Sequence, residues 1–86
     1  MKVIVPGQLH DYTDGRSQLE GDGETLAAVL DDLERRHPGL RFRVVDEQGR
    51  IRQHIRFFVN RQATATLSCP VAAHDEVLII AALSGG

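Results

Sequence analysis

Few side chains in this sequence stand at spacings that chemistry needs. Histidines occupy positions 10, 37, 54 and 74, and no two have the i, i+4 spacing with which a helix presents a pair of zinc ligands. Each reads as a surface residue. Ser17, Ser68 and Ser84 lack the glycine-flanked elbow of a nucleophilic serine. Gly21-Asp22-Gly23 is not followed by the further glycine or lysine of a phosphate-cradling loop. Cys69 is the one cysteine; no base lies beside it in sequence, and next to Pro70 it reads as a small, half-buried residue. What is left is the end of the chain, Ile80-Ala81-Ala82-Leu83-Ser84-Gly85-Gly86. A strand passes without a loop into small residues and then into two residues with no side chain. That arrangement puts a carboxylate on a thread thin enough to enter a narrow active site in another protein. The alternative is a frayed terminus that happens to end in glycine.

The elements that hold this thread follow from pattern. Met1 to Pro6 reads as a strand, β-branched at Val3, Ile4 and Val5 and ended by proline. Asp14-Gly15 marks a turn, and Ser17 to Glu20 a returning strand with Leu19 buried. A helix spans about Thr25 to His37. Thr25 is its N-cap, Leu26, Val29, Leu30 and Leu33 form its apolar face, and Asp31, Asp32, Glu34 and Arg35 lie on the other side. Arg35, Arg36 and His37 suit the negative end of its dipole, and Pro38-Gly39 stops it. Leu40 to Asp46 fits either a short helical turn or an extended piece, and Gln48-Gly49 looks like a turn. Ile55 to Asn60 is a strand, Thr64 to Leu67 a short one, and Glu76 to Leu83 the strongest, with the apolar run of a central strand. A hairpin, a crossing helix and further strands make a small α+β roll, with the last strand placed beside the first in parallel.

Size and composition narrow the function classes. The chain has 86 residues, 42% of them hydrophobic and 26% charged, which describes a single globular domain over 1–86 ending in a flexible tail, 82–86. A two-half dinucleotide-binding fold or a barrel enzyme does not fit. One cysteine excludes an internal disulfide, and no apolar run reaches the roughly 20 residues of a membrane span. The N-terminus lacks a signal-peptide pattern, so the expected location is cytoplasmic, without a membrane partner. A formal net charge of −2 argues against a general nucleic-acid binder. The sum conceals a segregation: eight acids against Arg16 between Asp11 and Glu34, then eight arginines against Asp46 and Glu47 between Arg35 and Arg61. The two blocks either neutralise each other in the fold or meet partners.

Taken together, several pieces resemble the ThiS/MoaD family of ubiquitin-like sulfur-carrier proteins. They are Met1-Lys2-Val3-Ile4-Val5, Gly23-Glu24-Thr25-Leu26 before an acidic helix, His37-Pro38-Gly39-Leu40, Phe57-Phe58-Val59-Asn60, Asp75-Glu76-Val77 through Ile80, and the final Gly85-Gly86. Within the family, Leu9-His10-Asp11-Tyr12-Thr13-Asp14-Gly15 looks most like the carriers that serve cysteine synthesis. The resemblance implies a ubiquitin-like β-grasp roll: a mixed sheet of four to five strands with one main helix on one face. Three positions depart from the family pattern. Arg61 follows Asn60 where glycine is usual, His74-Asp75 replaces a glycine-containing turn, and Ala81 replaces a proline. The first two are expected to alter turns only. The third removes a rigid element, so a looser tail with a less fixed exit is expected.

The resemblance also implies a mechanism in which this chain is a protein co-substrate and not an enzyme. The Gly86 carboxylate is adenylated by a partner that uses ATP, then converted to a thiocarboxylate that donates sulfur in the biosynthesis of cysteine or of a cofactor such as molybdopterin or thiamine. Gly85 lets the tail pass a constriction. The carrier itself binds no cofactor or metal. Its partners are the adenylating enzyme, a sulfur donor and a sulfur-accepting biosynthetic enzyme. Strand parity supplies a docking face: if Val77, Ile79, Ile55, Phe57 and Val59 point inward, Arg56, Phe58, Leu78 and Ile80 point outward, with Leu83 where the strand gives way to the tail. Two other readings stay open. One is a ubiquitin-like modifier joined to targets through Gly86. The other is an interaction domain of the same fold that uses its arginine block.

Overall fold

Val3, Leu19, Ile55, Phe57, Val77 and Ile79 are buried and alternate with more exposed neighbours, so each strand has one face to cover. In the computed structural model, which describes residues 1–82, a single helix supplies most of that cover. The strands are β1 (Lys2–Ile4), β2 (Gln18–Glu20), β3 (Ile55–Val59), β4 (Gln62–Thr64) and β5 (Glu76–Ala81). They form one mixed sheet in the order β2-β1-β5-β3-β4. β5 lies at its centre, parallel to β1 and antiparallel to β3. The parallel pairing is possible because three strands and the helices between them intervene in sequence. Helix α1 (Leu26–Arg36) crosses the inner face, with Leu26, Val29, Leu30 and Leu33 buried against the sheet. This is the expected β-grasp roll.

Helix α1 begins where Thr25 Oγ1 accepts the Ala28 N–H at 3.2 Å. Two further N–H groups of its first turn are satisfied from a distant segment. Leu26 N–H donates to Cys69 O at 3.0 Å and Ala27 N–H to Leu67 O at 2.9 Å. Residues 65–71 therefore leave the sheet and cross to the helix, which corrects the expectation of a strand at Thr64 to Leu67. The strand starts earlier, at Gln62, because Asn60 and Arg61 alone make the turn, with φ of 50° and 71°. Two left-handed central residues match the twist of a two-residue hairpin. Glycine at 23 has a packing reason: a Cβ there would lie 2.6 Å from the Val29 backbone nitrogen.

Leu40 to Asp46 resolves into a short helix, α2 (Leu40–Val44), with Leu40 and Val44 buried. Its start is fixed by Glu34, whose carboxylate accepts the N–H groups of Gly39 and Arg41, both at 2.9 Å. Those bonds hold the Glu34 carboxyl below its ordinary range, with the Arg41 charge adding to them. The 3-10 segment at Gly7–Tyr12, which buries Leu9, was not part of the sequence expectation. Asp32 is a second correction. It does not join a solvated helix face but is only 6% exposed. It borders the apolar stripe, three residues after Val29, and its carboxylate takes the Asp22 N–H at 3.0 Å and Arg35 Nη2 at 2.8 Å. The Asp22 N–H is the main cause that lowers its pKa, with Arg36 and Arg35 adding to it. Part of the acidic block thus meets the arginine block inside the fold. Arg36 lies 3.3 Å from Asp32 and 3.6 Å from Asp22, and Arg41 lies 3.1 Å from Asp31.

Two outcomes test this account. Arg61→Gly removes the cost of a left-handed non-glycine residue, about 1–2 kcal/mol, and part of the gain is offset by the added freedom of the unfolded chain. A net gain of about 1 kcal/mol raises the melting temperature by about 4–8 °C for a domain of this size, as calorimetry can read. The second concerns acid. Glu34, Asp32 and Asp75 all have folded pKa values below their ordinary ones. Their contribution is therefore complete above about pH 5 and is lost as pH falls through the folded values. Denaturant titrations show stability falling on acidification, and Glu34→Gln makes that fall shallower.

Candidate functional site

Among the described residues no helix covers the outer face of the sheet, and register places its side chains in rows. One row crosses all five strands: Gln18, Ile4, Leu78, Phe58 and Ala63. In the next row toward the chain end, Ile80 stands opposite Arg56. Phe58 and Leu78 are half-buried, Arg56 is exposed, and Ile80 is 41% exposed. Their inward neighbours Ile55, Phe57, Val77 and Ile79 are about 1% exposed, so the parity expected from sequence holds on both strands. Strand β3 thus brings Arg56 and Phe58, and β5 brings Leu78 and Ile80, into one contiguous patch. Leu83, Gly85 and Gly86 lie outside the described residues.

Sequence reasoning missed Ile4 and Ala63. The signal for Ile4 was present, since it alternates with buried Val3 and Val5 on a strand expected to lie beside the last one. Ala63 was not accessible while the fourth strand was placed too late. At the far edge of the patch Lys2 Nζ lies 3.4 Å from Glu76 Oε2, which gives the apolar row a charged border.

The strand that carries the tail is tied down at both ends. Before β5, Asp75 Oδ1 accepts Asn60 Nδ2 at 2.9 Å and Asp75 Oδ2 accepts the Ala72 N–H at 2.7 Å. Asn60 Oδ1 in turn accepts the Glu76 N–H at 3.0 Å. The Asn60 amide is the main cause that lowers the Asp75 pKa. Asp75 therefore joins the β3–β4 turn to the start of β5. At the other end Ala81 pairs with Ile55, and the Ala82 N–H donates to His54 O at 2.8 Å. Pairing through Ala81 and Ala82 holds the chain as far as residue 82, and the looser tail expected from the missing proline lies beyond it, outside the described residues.

The histidines do not converge, and among the described residues no group of three or more His, Cys, Asp or Glu is placed to hold a metal ion. Cys69 is half-buried, and its carbonyl serves the start of α1. Among the described residues no helix is long and apolar enough to cross a membrane.

Residues 3–86 match the ThiS family. The chain belongs to that family. It is 30% identical over 89 residues to the sulfur carrier protein CysO of Mycobacterium tuberculosis, a match that covers 98% of this chain and 96% of that one. It is 37% identical over 71 residues to small archaeal modifier protein 1 of Haloferax volcanii, covering 83% of this chain and 79% of the relative. A solved structure, that of the Amycolatopsis orientalis BexX/CysO complex, superposes with a TM-score of 0.90 at 31% identity, covering 99% of this chain and 98% of the other. The ThiS-family core here has the expected β-grasp topology with an uncovered apolar face beside the strand that leads to Gly85-Gly86.

Proposed function

We propose that this chain is a sulfur carrier, a protein co-substrate whose reactive group is the main-chain carboxylate of Gly86. The observation that carries the reading is the match to a sulfur carrier protein over 98% of the chain, on a fold whose central strand is the last element before the two glycines in sequence. A carboxylate is a poor electrophile. Attack of its oxygen on the α-phosphorus of ATP in a partner's site releases pyrophosphate and leaves an acyl-adenylate. A sulfide-level donor then attacks the acyl carbon, AMP departs, and the terminus becomes a thiocarboxylate. The chain needs no pocket of its own for this. It needs a narrow tail and a face by which the partner can hold it. Phe58, Leu78 and Ile80, joined by Ile4, are that face, a partly exposed apolar patch with Arg56 at its tail side. The sulfur is passed on in a biosynthetic route, and the resemblance of Leu9 to Gly15 favours cysteine.

The likeness to a small archaeal modifier supports a second reading, in which Gly86 is joined to an amine of a target protein. Intact mass separates the two. After incubation with the source organism's ATP-dependent activating enzyme, ATP and sulfide, a carrier gains the difference between sulfur and oxygen at its C-terminus. A modifier appears instead as a larger covalent adduct. Gly86→Ala abolishes or greatly slows loading while the circular dichroism stays that of the parent. Ile80→Asp keeps the fold, since the side chain already meets solvent, and weakens binding to the activating enzyme by about tenfold or more, the scale of an interface anchor. Normal thiocarboxylate formation by Gly86→Ala would overturn the proposal.

A further inference from the structure

The arginine block is not used evenly. Of its eight members, Arg35, Arg36, Arg41 and Arg50 lie within 2.8–3.6 Å of carboxylates. Arg43, Arg52, Arg56 and Arg61 have no such partner among the described residues. Arg61 sits at the β3–β4 turn, a full strand length from the tail. Arg43 and Arg56 lie beside the place where the chain leaves the sheet, and Arg52 shares a cleft with Arg56. Arg43 and His54 line a cleft of about 420 Å³ with Ala81 and Ala82. Arg52 and Arg56 line a second cleft of about 410 Å³ with Gln53 and Ala63.

These three guanidiniums are positioned but not neutralised. Arg43 stacks over the Tyr12 ring at 5.7 Å, and Arg52 over the Phe42 ring at 4.6 Å. Arg52 Nε donates to Phe42 O at 2.8 Å. Arg56 Nη1 donates to Gln53 O at 2.8 Å and Ile55 O at 2.9 Å. Every one of these partners is uncharged. Asp46, close enough to Arg52 to feel its charge, already accepts the N–H groups of Gln48 and Arg50 at 2.9 Å and faces the Arg50 side chain at 3.6 Å. Three cations are thus fixed at one end of a molecule whose net charge is −2.

We infer that Arg43, Arg52 and Arg56 form a positive collar that docks on an acidic rim around the active-site mouth of the enzyme that activates Gly86. The inference rests on the carrier reading above and adds the chemistry of the partner's surface. Gly86 is the fourth residue after Ala82, and those four residues fully extended span at most about 14 Å. A partner that acts on the Gly86 carboxylate must therefore bring its surface against the residues around Ala82, where Arg43 and Arg56 stand and Arg52 adjoins Arg56. Three unneutralised guanidiniums pressed against a neutral or basic rim lose hydration without return, whereas carboxylates opposite them gain charge-assisted hydrogen bonds. The overall acidity and the apolar patch contiguous with Arg56 favour a protein rim over RNA. Charges at a rim act mainly on encounter, so the collar sets the association rate more than the lifetime of the complex.

The test compares the full-length chain with R43E/R52E/R56E, with the charge-keeping R43K/R52K/R56K, and with R61E as a control for net charge. Association with the purified activating enzyme is followed by stopped flow, and adenylation by ATP–pyrophosphate exchange. The expected result is an association rate lower by about tenfold or more for the charge-reversed triple at low salt. The difference closes near about 1 M salt, where the Debye length is about 3 Å. The dissociation rate and kcat at saturating carrier stay close to those of the parent, so the effect falls on KM. The lysine triple and R61E behave like the parent, and circular dichroism confirms that each variant is folded. Equal slowing by R61E, or an unchanged salt dependence in a charge-reversed triple that loads normally, overturns the collar and leaves the carrier reading standing. If the parent is not activated at all, the carrier reading fails and the collar with it. Binding of a labelled uridine oligonucleotide with steep salt dependence, lost in the charge-reversed triple, would assign the collar to RNA instead. A dimer that the triple dissolves in sedimentation would assign it to a second copy.

Discussion

The pairing of β5 between β1 and β3 is the interaction on which the other features depend. It joins the first strand of the chain to the last in parallel, and it gives the sheet its centre. Val77 and Ile79 then close the core against α1, while Leu78 and Ile80 are turned to the uncovered face. A shift of one residue in this register would exchange the two sets and bury the patch while exposing the core. The same strand delivers the tail. Core, patch and exit are therefore one decision made by one strand.

Around that strand, polar side chains fix the connections that the hydrophobic pattern leaves free. Asp75 and Asn60 bind the entry of β5 to the neighbouring hairpin, Glu34 starts α2, and Asp32 fastens the segment before α1. Each is a carboxylate or amide that accepts backbone N–H groups which would otherwise be orphaned at a helix start or turn. That use explains why Asp32 and Glu34 do not behave as part of a free negative surface.

Much of this was legible in the residues. Leu26, Val29, Leu30 and Leu33 marked the face of α1, Thr25 its start, and alternation in Ile55–Val59 and Val77–Ile80 separated core from patch. These features repeat at a fixed period, and the buried set can be read from it. The crossing of residues 65–71 to α1 was not legible, because it satisfies a helix start some forty positions earlier in the chain and shows no periodicity of its own. Asp32 was misplaced for a related reason: its charge marks it as exposed, and only the loop at Asp22 and the arginines at 35 and 36 make its burial tolerable. The sorting of arginines into paired and unpaired sets was likewise invisible, since it depends on which acids the fold brings near.

The central position of β5 also has a mechanical meaning. A partner that grips the tail pulls along the axis of a strand bonded to neighbours on both sides, by ladders that run across the direction of pull. Tension of that kind loads many hydrogen bonds at once in shear, where an edge strand would peel from the sheet one bond at a time. In the proposed carrier role, a partner that drew the tail taut in its site would pass the load into the whole sheet.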